Sequence, residues 1–317
     1  MVDAPVVLRQ FLIYMETIKG KSKKTVAEYY LDLRIFFRFL KVHQNLVPKG
    51  AVFEEIAIND MDIERLNSVK LLDLYEFMNY LNTERNISAR SRARKVSSLR
   101  TFYKYLSVNL KAIDDNPAKY LDYPKLKKSL PAHLTLEESI SLLESVDGPN
   151  KQRDYAILTL FLNCGMRLSE LAGINMSDFR SDTIIITGKG NKERTVYLNN
   201  ACKIAIEDYL KTRPNEGSKD RRALFLSRNK NRISVKTIQW LVKKYLGAAG
   251  LDTEKYSTHK LRHTAATLMY QHGGVDIRTL QEILGHEQLS TTEIYTHIND
   301  ERLRSAVYAN PLSKIKK

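Results

Sequence analysis

Cysteine is nearly absent from this sequence. Cys164 and Cys202 are the only two in 317 residues, too few for a disulfide scaffold, and such sparing use suits a reducing cytoplasm. Long apolar runs are missing as well. Nothing approaches the ~18–20 residues of a membrane span, and the longest apolar block, Ala156 to Met166, reads as a buried helix. The opening MVDAPVVLRQ has neither a basic n-region nor an adequate apolar stretch, so no signal peptide is expected. Without secretion, the Asn-x-Ser matches at Asn86 and Asn175 are chance. The expectation is a cytoplasmic protein with no membrane partner. No repeat occurs at the period of solenoids or propellers.

Several familiar chemistries lack their residues. GKGNKE, starting at Gly188, is glycine-rich, but Thr183 stands where a P-loop needs its first glycine and Gly190 where it needs Ser or Thr. His259 and His263 have a zinc-compatible i,i+4 spacing. They lack the glutamate of H-E-x-x-H, Arg262 lies between them, and no third ligand is evident nearby, so no metal site is expected. No G-x-S-x-G nucleophile elbow is present.

Positive charge is what the chain has in excess. Lys and Arg total 51 against 36 Asp and Glu, a formal net charge of +15, which points to a polyanionic partner, most often nucleic acid. Hydrophobic residues make up 43%, ample for a folded core, so disorder is excluded as the main state. The length suggests about two domains. Pro117, Pro124 and Pro131, interleaved with Lys119, Lys125, Lys127 and Lys128, mark a stiff, solvated linker. We place a helical domain at 1–115, the linker at 116–131 and a second domain at 132–317. There are 23 basic and 15 acidic residues up to Pro131, and 28 and 21 beyond it. Both halves are therefore basic, as two domains gripping one duplex would be.

The first half reads as helices over Val7 to Ile18, after Ser22, over LLDLYEFMNYL and after Ser88. From Arg85 to Lys104 there are seven basic residues and no acidic one. At ~100° per residue, Arg90, Arg94, Arg100 and Lys104 share an arc of about 120°, opposite Val96, Leu99, Phe102, Tyr103 and Leu106. Such a stripe suits a helix that tracks phosphates or enters a groove. Arg92 and Lys95 do not fit it and are expected near a fraying start. A second cluster, Lys19, Lys21, Lys23 and Lys24, opens another helix. The acidic segment from Val47 to Ser68 (Glu54, Glu55, Asp60, Asp62, Glu64) is expected to contact protein or solvent rather than DNA. In the second half Thr135 caps a helix, TIIIT and RTVYL flank GKGNKE as a β-hairpin, and helical patterns return almost to the end. The fold class expected is mainly α with a small antiparallel sheet.

Four motifs carry candidate chemistry. In NCGMRLSELAGI, Gly165 interrupts an apolar helix before Arg167, with Glu170 in reach of its guanidinium. In STHKLRHTAATLMYQHG, Ser257 or Thr258 can cap a helix with His259 in the first turn and Arg262 one turn on, an anion site beside a proton-exchanging imidazole. In ILGHEQLSTTEIYTHI, Gly285 suits a left-handed helix end that projects His286. There Ser290 and Glu293 form a capping box before Tyr295.

In this order the motifs MRLSEL, ITGKGNKERTV, HKLRHTAATLM and ILGHEQLSTTEIYTHI resemble the catalytic domain of the tyrosine recombinases, or phage-integrase family, nearest its Xer-like branch. SKKTVAEYYLDLRIFFRFL and SARSRARKVSSLRTFYKYL resemble the family's core-binding domain. The resemblance implies Tyr295 as nucleophile, Arg167 and Arg262 on the scissile phosphate, Lys189 as acid to the departing 5′-oxygen, and His259 and His286 completing the set. Glu170 and His263 match supporting positions, and Lys23, Lys24, Arg90, Arg94, Arg100 and Lys104 are candidates for DNA contact. It implies site-specific recombination through a 3′-phosphotyrosyl intermediate, with no cofactor, metal or ATP. The partners implied are double-stranded DNA with inverted-repeat sites and a homo-oligomer, a dimer on each site and a tetramer in the synapse. After Asn299 or Asp300, ERLRSAVYA would be a subunit-contact helix. Two alternatives stand beside this reading: type IB topoisomerase-like relaxation, and a catalytically silent DNA-binding protein.

Overall fold

The computed structural model describes residues 3–126, 132–188, 193–214 and 216–285. The chain divides into two compact units, Met1–Lys128 and Ser129–Lys317.

The first unit is helical. Val7, Leu8, Phe11 and Leu12 give α1 (Val6–Ile13) a buried face, and the helix widens into a π-helical turn, Tyr14–Ile18. Ser22 caps α2 (Lys23–His43) by accepting from the Thr25 N–H. A short helix α3 (Ile63–Ser68) leads to α4 (Leu71–Thr83), and Ser88 caps α5 (Ala89–Lys104), which also ends in a π-helical turn, Tyr105–Asn109. Aromatic rings fill the centre, with Phe11 edge-on to Phe102 at 5.2 Å and Phe36 edge-on to Phe77 at 5.1 Å, geometries favoured by the ring quadrupole.

The acidic 47–68 segment folds back onto its own domain. Ile56, Ile58, Met61 and Leu66 are buried. Lys41 Nζ reaches Asp60 at 2.8 Å and the Ala57 carbonyl at 2.9 Å, and Arg85 pairs with Glu54 at 2.8 Å. Part of its acidity therefore answers the domain's own cations.

Among its described residues the second unit is helical with one antiparallel pair of strands, the mainly α architecture with a small antiparallel sheet expected from the sequence. Helix α6 (Leu136–Glu144) starts with a reciprocal Thr135–Glu138 capping box. Helix α7 (Lys151–Cys164) is buried along most of its length, and α8 (Leu168–Gly173) follows within a few residues. Strands β1 (Thr183–Thr187) and β2 (Glu193–Tyr197) pair antiparallel, Thr183 opposite Tyr197 and Thr187 opposite Glu193. Helices α9 (Asn200–Thr212), α10 (Val235–Ala248), α11 (Thr258–His272) and α12 (Ile277–Leu284) complete the described part. Cys164 and Cys202 are free and buried, their sulfurs 3.7 Å apart. Among the described residues no helix is long and apolar enough to cross a membrane.

Candidate active site

Gly165 ends α7 in the left-handed conformation, φ +58°. A Cβ here would lie 2.8 Å from Leu284 Cδ2, so the backbone favours glycine and a side chain would oblige Leu284 to shift. The turn presents the Gly165 carbonyl to Arg262, whose Nη1 donates to it at 2.6 Å, and leads within two residues to Arg167, the N-cap of α8. Glu170 accepts from the Arg167 backbone N–H at 2.8 Å and from its guanidinium at 2.7 Å. The reach expected from the three-residue spacing is realised, and the carboxylate also closes the start of α8.

The two arginines converge on the end of α12. Arg262 Nη2 donates to the Leu284 carbonyl at 2.6 Å, and Arg167 Nη2 to the adjacent Gly285 carbonyl at 2.7 Å. Carbonyls at a helix C-terminus lack intrahelical partners and carry the negative end of the dipole, so they offset the repulsion between two close guanidiniums. Gly285 is left-handed, φ +63°, as anticipated, and it is followed in sequence by His286. Arg262 is 7% exposed, whereas the Arg167 side chain is 34% exposed, open enough to meet a ligand.

Glu170 is buried, its side chain 3% exposed. Burial alone would raise its pKa, but hydrogen bonds from Arg194 and Arg167 outweigh this and hold the carboxyl below the usual carboxylate range. Arg194 grips both oxygens, Nη1 to Oε1 at 2.7 Å and Nη2 to Oε2 at 3.1 Å. Sequence reasoning missed it. The signal was available: period-two alternation puts Arg194 on the same face of β2 as buried Val196, and an inward-facing charge needs a partner.

His259 lies exposed in the first turn of α11. Ser257 holds the N-cap position, but its hydroxyl makes no capping bond, contrary to expectation; its carbonyl takes the Lys260 and Leu261 N–H groups instead. His263 turns inward. Burial first, then the nearby Lys260, His259, Arg262 and His133, lower its pKa to about 4, so it is neutral at physiological pH. Lys189, His286, Tyr295, the Ser290–Glu293 capping box and the tail from Asn299 lie outside the described residues.

In the first unit, Lys23, Lys24, Arg90 and Lys104 are exposed. Arg94 is paired with Asp32 at 2.6 Å and Glu28 at 2.9 Å, and Arg100 lies over the Tyr123 ring while donating to the Leu121 carbonyl. Within the stripe, therefore, Arg94 is answered by acids from α2. Lys95, expected near a fraying start, is buried and bonded to Asp32 at 2.6 Å. Asp32 is itself buried and also accepts from Ser98, so this polar network locks α2 to α5. Two grooves lie along these helices. One of about 320 Å³ is lined by Lys24, Glu28, Tyr29 and Arg94, and one of about 620 Å³ by Lys19, Lys21, Tyr29, Arg100, Lys104 and Lys119.

The model of the Phage integrase family matches residues 132–302, and that of the phage integrase N-terminal SAM-like domain matches residues 7–109. Tyrosine recombinase XerC of Caldanaerobacter subterraneus is 56% identical over 98% of this chain and 88% of its own length. Tyrosine recombinase XerD of Proteus mirabilis is 36% identical over 95% of this chain and 91% of its own. Among solved structures, XerH site-specific recombinase bound to difH substrate matches with a TM-score of 0.69 and 25% identity, over 95% of this chain and 84% of that one. The Tn1549 transposon integrase in complex with circular intermediate DNA matches in fold, TM-score 0.72 at 21% identity, over 96% of this chain and 99% of that one.

Proposed function

The chain belongs to the phage integrase family, as a tyrosine recombinase of its Xer-like branch, and from that premise we propose how its residues cut and rejoin DNA. Arg167 and Arg262 bind the non-bridging oxygens of the scissile phosphate, whose charge grows in the five-coordinate transition state. The hydroxyl oxygen of Tyr295 attacks phosphorus as the bond to the 5′-oxygen breaks. Tyrosine has a pKa of about 10, so its proton needs an acceptor, and His259 takes it while His286 binds the transition state. Lys189 gives a proton to the departing 5′-oxygen. The product is a 3′-phosphotyrosyl ester and a free 5′-hydroxyl. The ester conserves the bond energy, so a second 5′-hydroxyl reseals the strand without ATP, and the two guanidiniums fill the charge-stabilising role that metal ions play in many nucleases.

The observation that carries this reading is the meeting of Arg167 and Arg262 at two consecutive carbonyls, Leu284 and Gly285, next to His286 in sequence. The partner is double-stranded DNA bearing an inverted repeat, with one subunit on each half-site and two such dimers in a tetrameric synapse, all in the cytoplasm. The grooves beside α2 and α5, lined in part by Lys24 and Lys104, together with exposed Lys23 and Arg90, support the first unit as a DNA clamp. The segment from Asp300 to Lys317 links subunits.

Two differently labelled duplexes carrying the inverted repeat test this. Exchange of labelled strands is expected, and deleting Asp300 to Lys317 should abolish ordered multimers on paired sites. Relaxation of supercoiled plasmid with no exchange would instead support the topoisomerase-like reading.

A further inference from the structure

Arg194 has no part in the chemistry just described, yet it sits where three segments of the site meet. Its guanidinium holds both oxygens of Glu170, and its side chain is only 16% exposed. Its stem lies against the backbone of Gly285, since a Cβ built there would fall 3.0 Å from Arg194 Cδ and 3.2 Å from Nε. Glu170 in turn holds Arg167, and Arg167 donates to the Gly285 carbonyl. The contacts close a ring, Arg194 to Glu170 to Arg167 to Gly285 and back to Arg194. Arg194 belongs to β2 and follows Lys189 closely in sequence, and Gly285 precedes His286.

We propose that Arg194 is a positioning residue for strand cleavage, fixing Glu170 so that Arg167 keeps both its orientation and its full positive charge for the scissile phosphate. Two physical reasons lead there. Each Glu170 oxygen accepts twice, Oε1 from the Arg167 and Arg194 guanidiniums and Oε2 from the Arg167 N–H and Arg194 Nη2. A carboxylate gripped at both oxygens cannot rotate, so the guanidinium leaning on it is held in one pose. Charge gives the second reason. One carboxylate facing Arg167 alone would neutralise the group that must attract phosphate, whereas with Arg194 present the trio retains a net positive charge. This inference rests on the assignment of Arg167 to the phosphate.

The test is single-turnover formation of the covalent adduct on a nicked suicide duplex by the full-length protein. It uses two substrates, one with an ordinary scissile phosphate and one with a methylphosphonate that lacks one charged oxygen. Arg194→Met is expected to bind DNA within about twofold of wild type but to cleave the phosphate about 100-fold more slowly. On the methylphosphonate its loss should shrink to about threefold, because there is less charge to balance. Arg194→Lys, which keeps the charge and loses the two-pronged grip, should fall between and carries the same comparison if Arg194→Met folds poorly. In a Glu170→Gln background, Arg194→Met should cost little more. An equal loss on both substrates, or an undiminished loss in the Glu170→Gln background, overturns the proposal. Arg167→Gln is run beside these variants. If it shows no dependence on substrate charge, the phosphate assignment has failed, and the Arg194 proposal fails with it through that premise rather than through Arg194 itself.

Discussion

His263 illustrates how little a residue type says before its surroundings are known. On the sequence it is a second histidine one turn from His259. In the fold burial first, and then the basic groups crowded around it, lower its pKa to about 4 from the ordinary 6.5. The folded state therefore binds its proton less readily than the unfolded chain, so its contribution to stability is complete above about pH 6.5. That contribution drains away as the pH falls toward 4. Urea midpoints between pH 7.5 and 4.5 should decline in wild type and decline less in His263→Gln; identical slopes would contradict this. Glu170, depressed below the usual carboxylate range, acts in a lower window, its stabilisation present above about pH 4.5 and lost as the pH falls through its own pKa. The same scale shows what sequence could and could not give. Glu170 beside Arg167 was legible because three residues along one chain fix their separation. The Arg194–Glu170 and Lys95–Asp32 pairs were not, because their partners lie 24 and 63 residues away and only the fold brings them together.

At the scale of elements, the helix starts were the most readable features. Ser22, Ser88 and Thr135 each cap the helix expected after them, since a cap is a local contest for a few N–H groups. Helix ends were read less completely. The π-helical turns that finish α1 and α5 left no mark in the hydrophobic pattern, whereas Gly285 announced its left-handed cap. Gly165 makes the sharper case, because its turn sets the Gly165 carbonyl against Arg262 and leads into Arg167. Gly165→Ala combines a left-handed alanine with a side chain 2.8 Å from Leu284. It should destabilise the protein by about 2–4 kcal/mol and slow cleavage, as measured by urea unfolding and adduct formation. Unchanged stability would mean that the end of α12 yields easily and does not anchor the arginines.

For the whole molecule, the net charge of +15 indicated a polyanionic partner before any element was known, whereas the runs of basic residues overstated how many cations are left unpaired. Arg94, Lys95, Arg85 and Lys41 spend their charge on Asp32, Glu28, Glu54 and Asp60. Sign along one helix is legible in sequence, while the acids that a neighbouring helix turns toward it are not. The proposed catalytic set stands out only as an ordered constellation, since each motif alone has a structural explanation. In the proposed mechanism one tyrosine hydroxyl attacks a phosphorus held by Arg167 and Arg262. The direct measurement is mass spectrometry of the peptide bonded to DNA after incubation with a nicked suicide duplex. One nucleotide-bearing peptide is expected, modified at Tyr295 and absent in Tyr295→Phe. A stable adduct on any other residue, or one that survives in Tyr295→Phe, would contradict it.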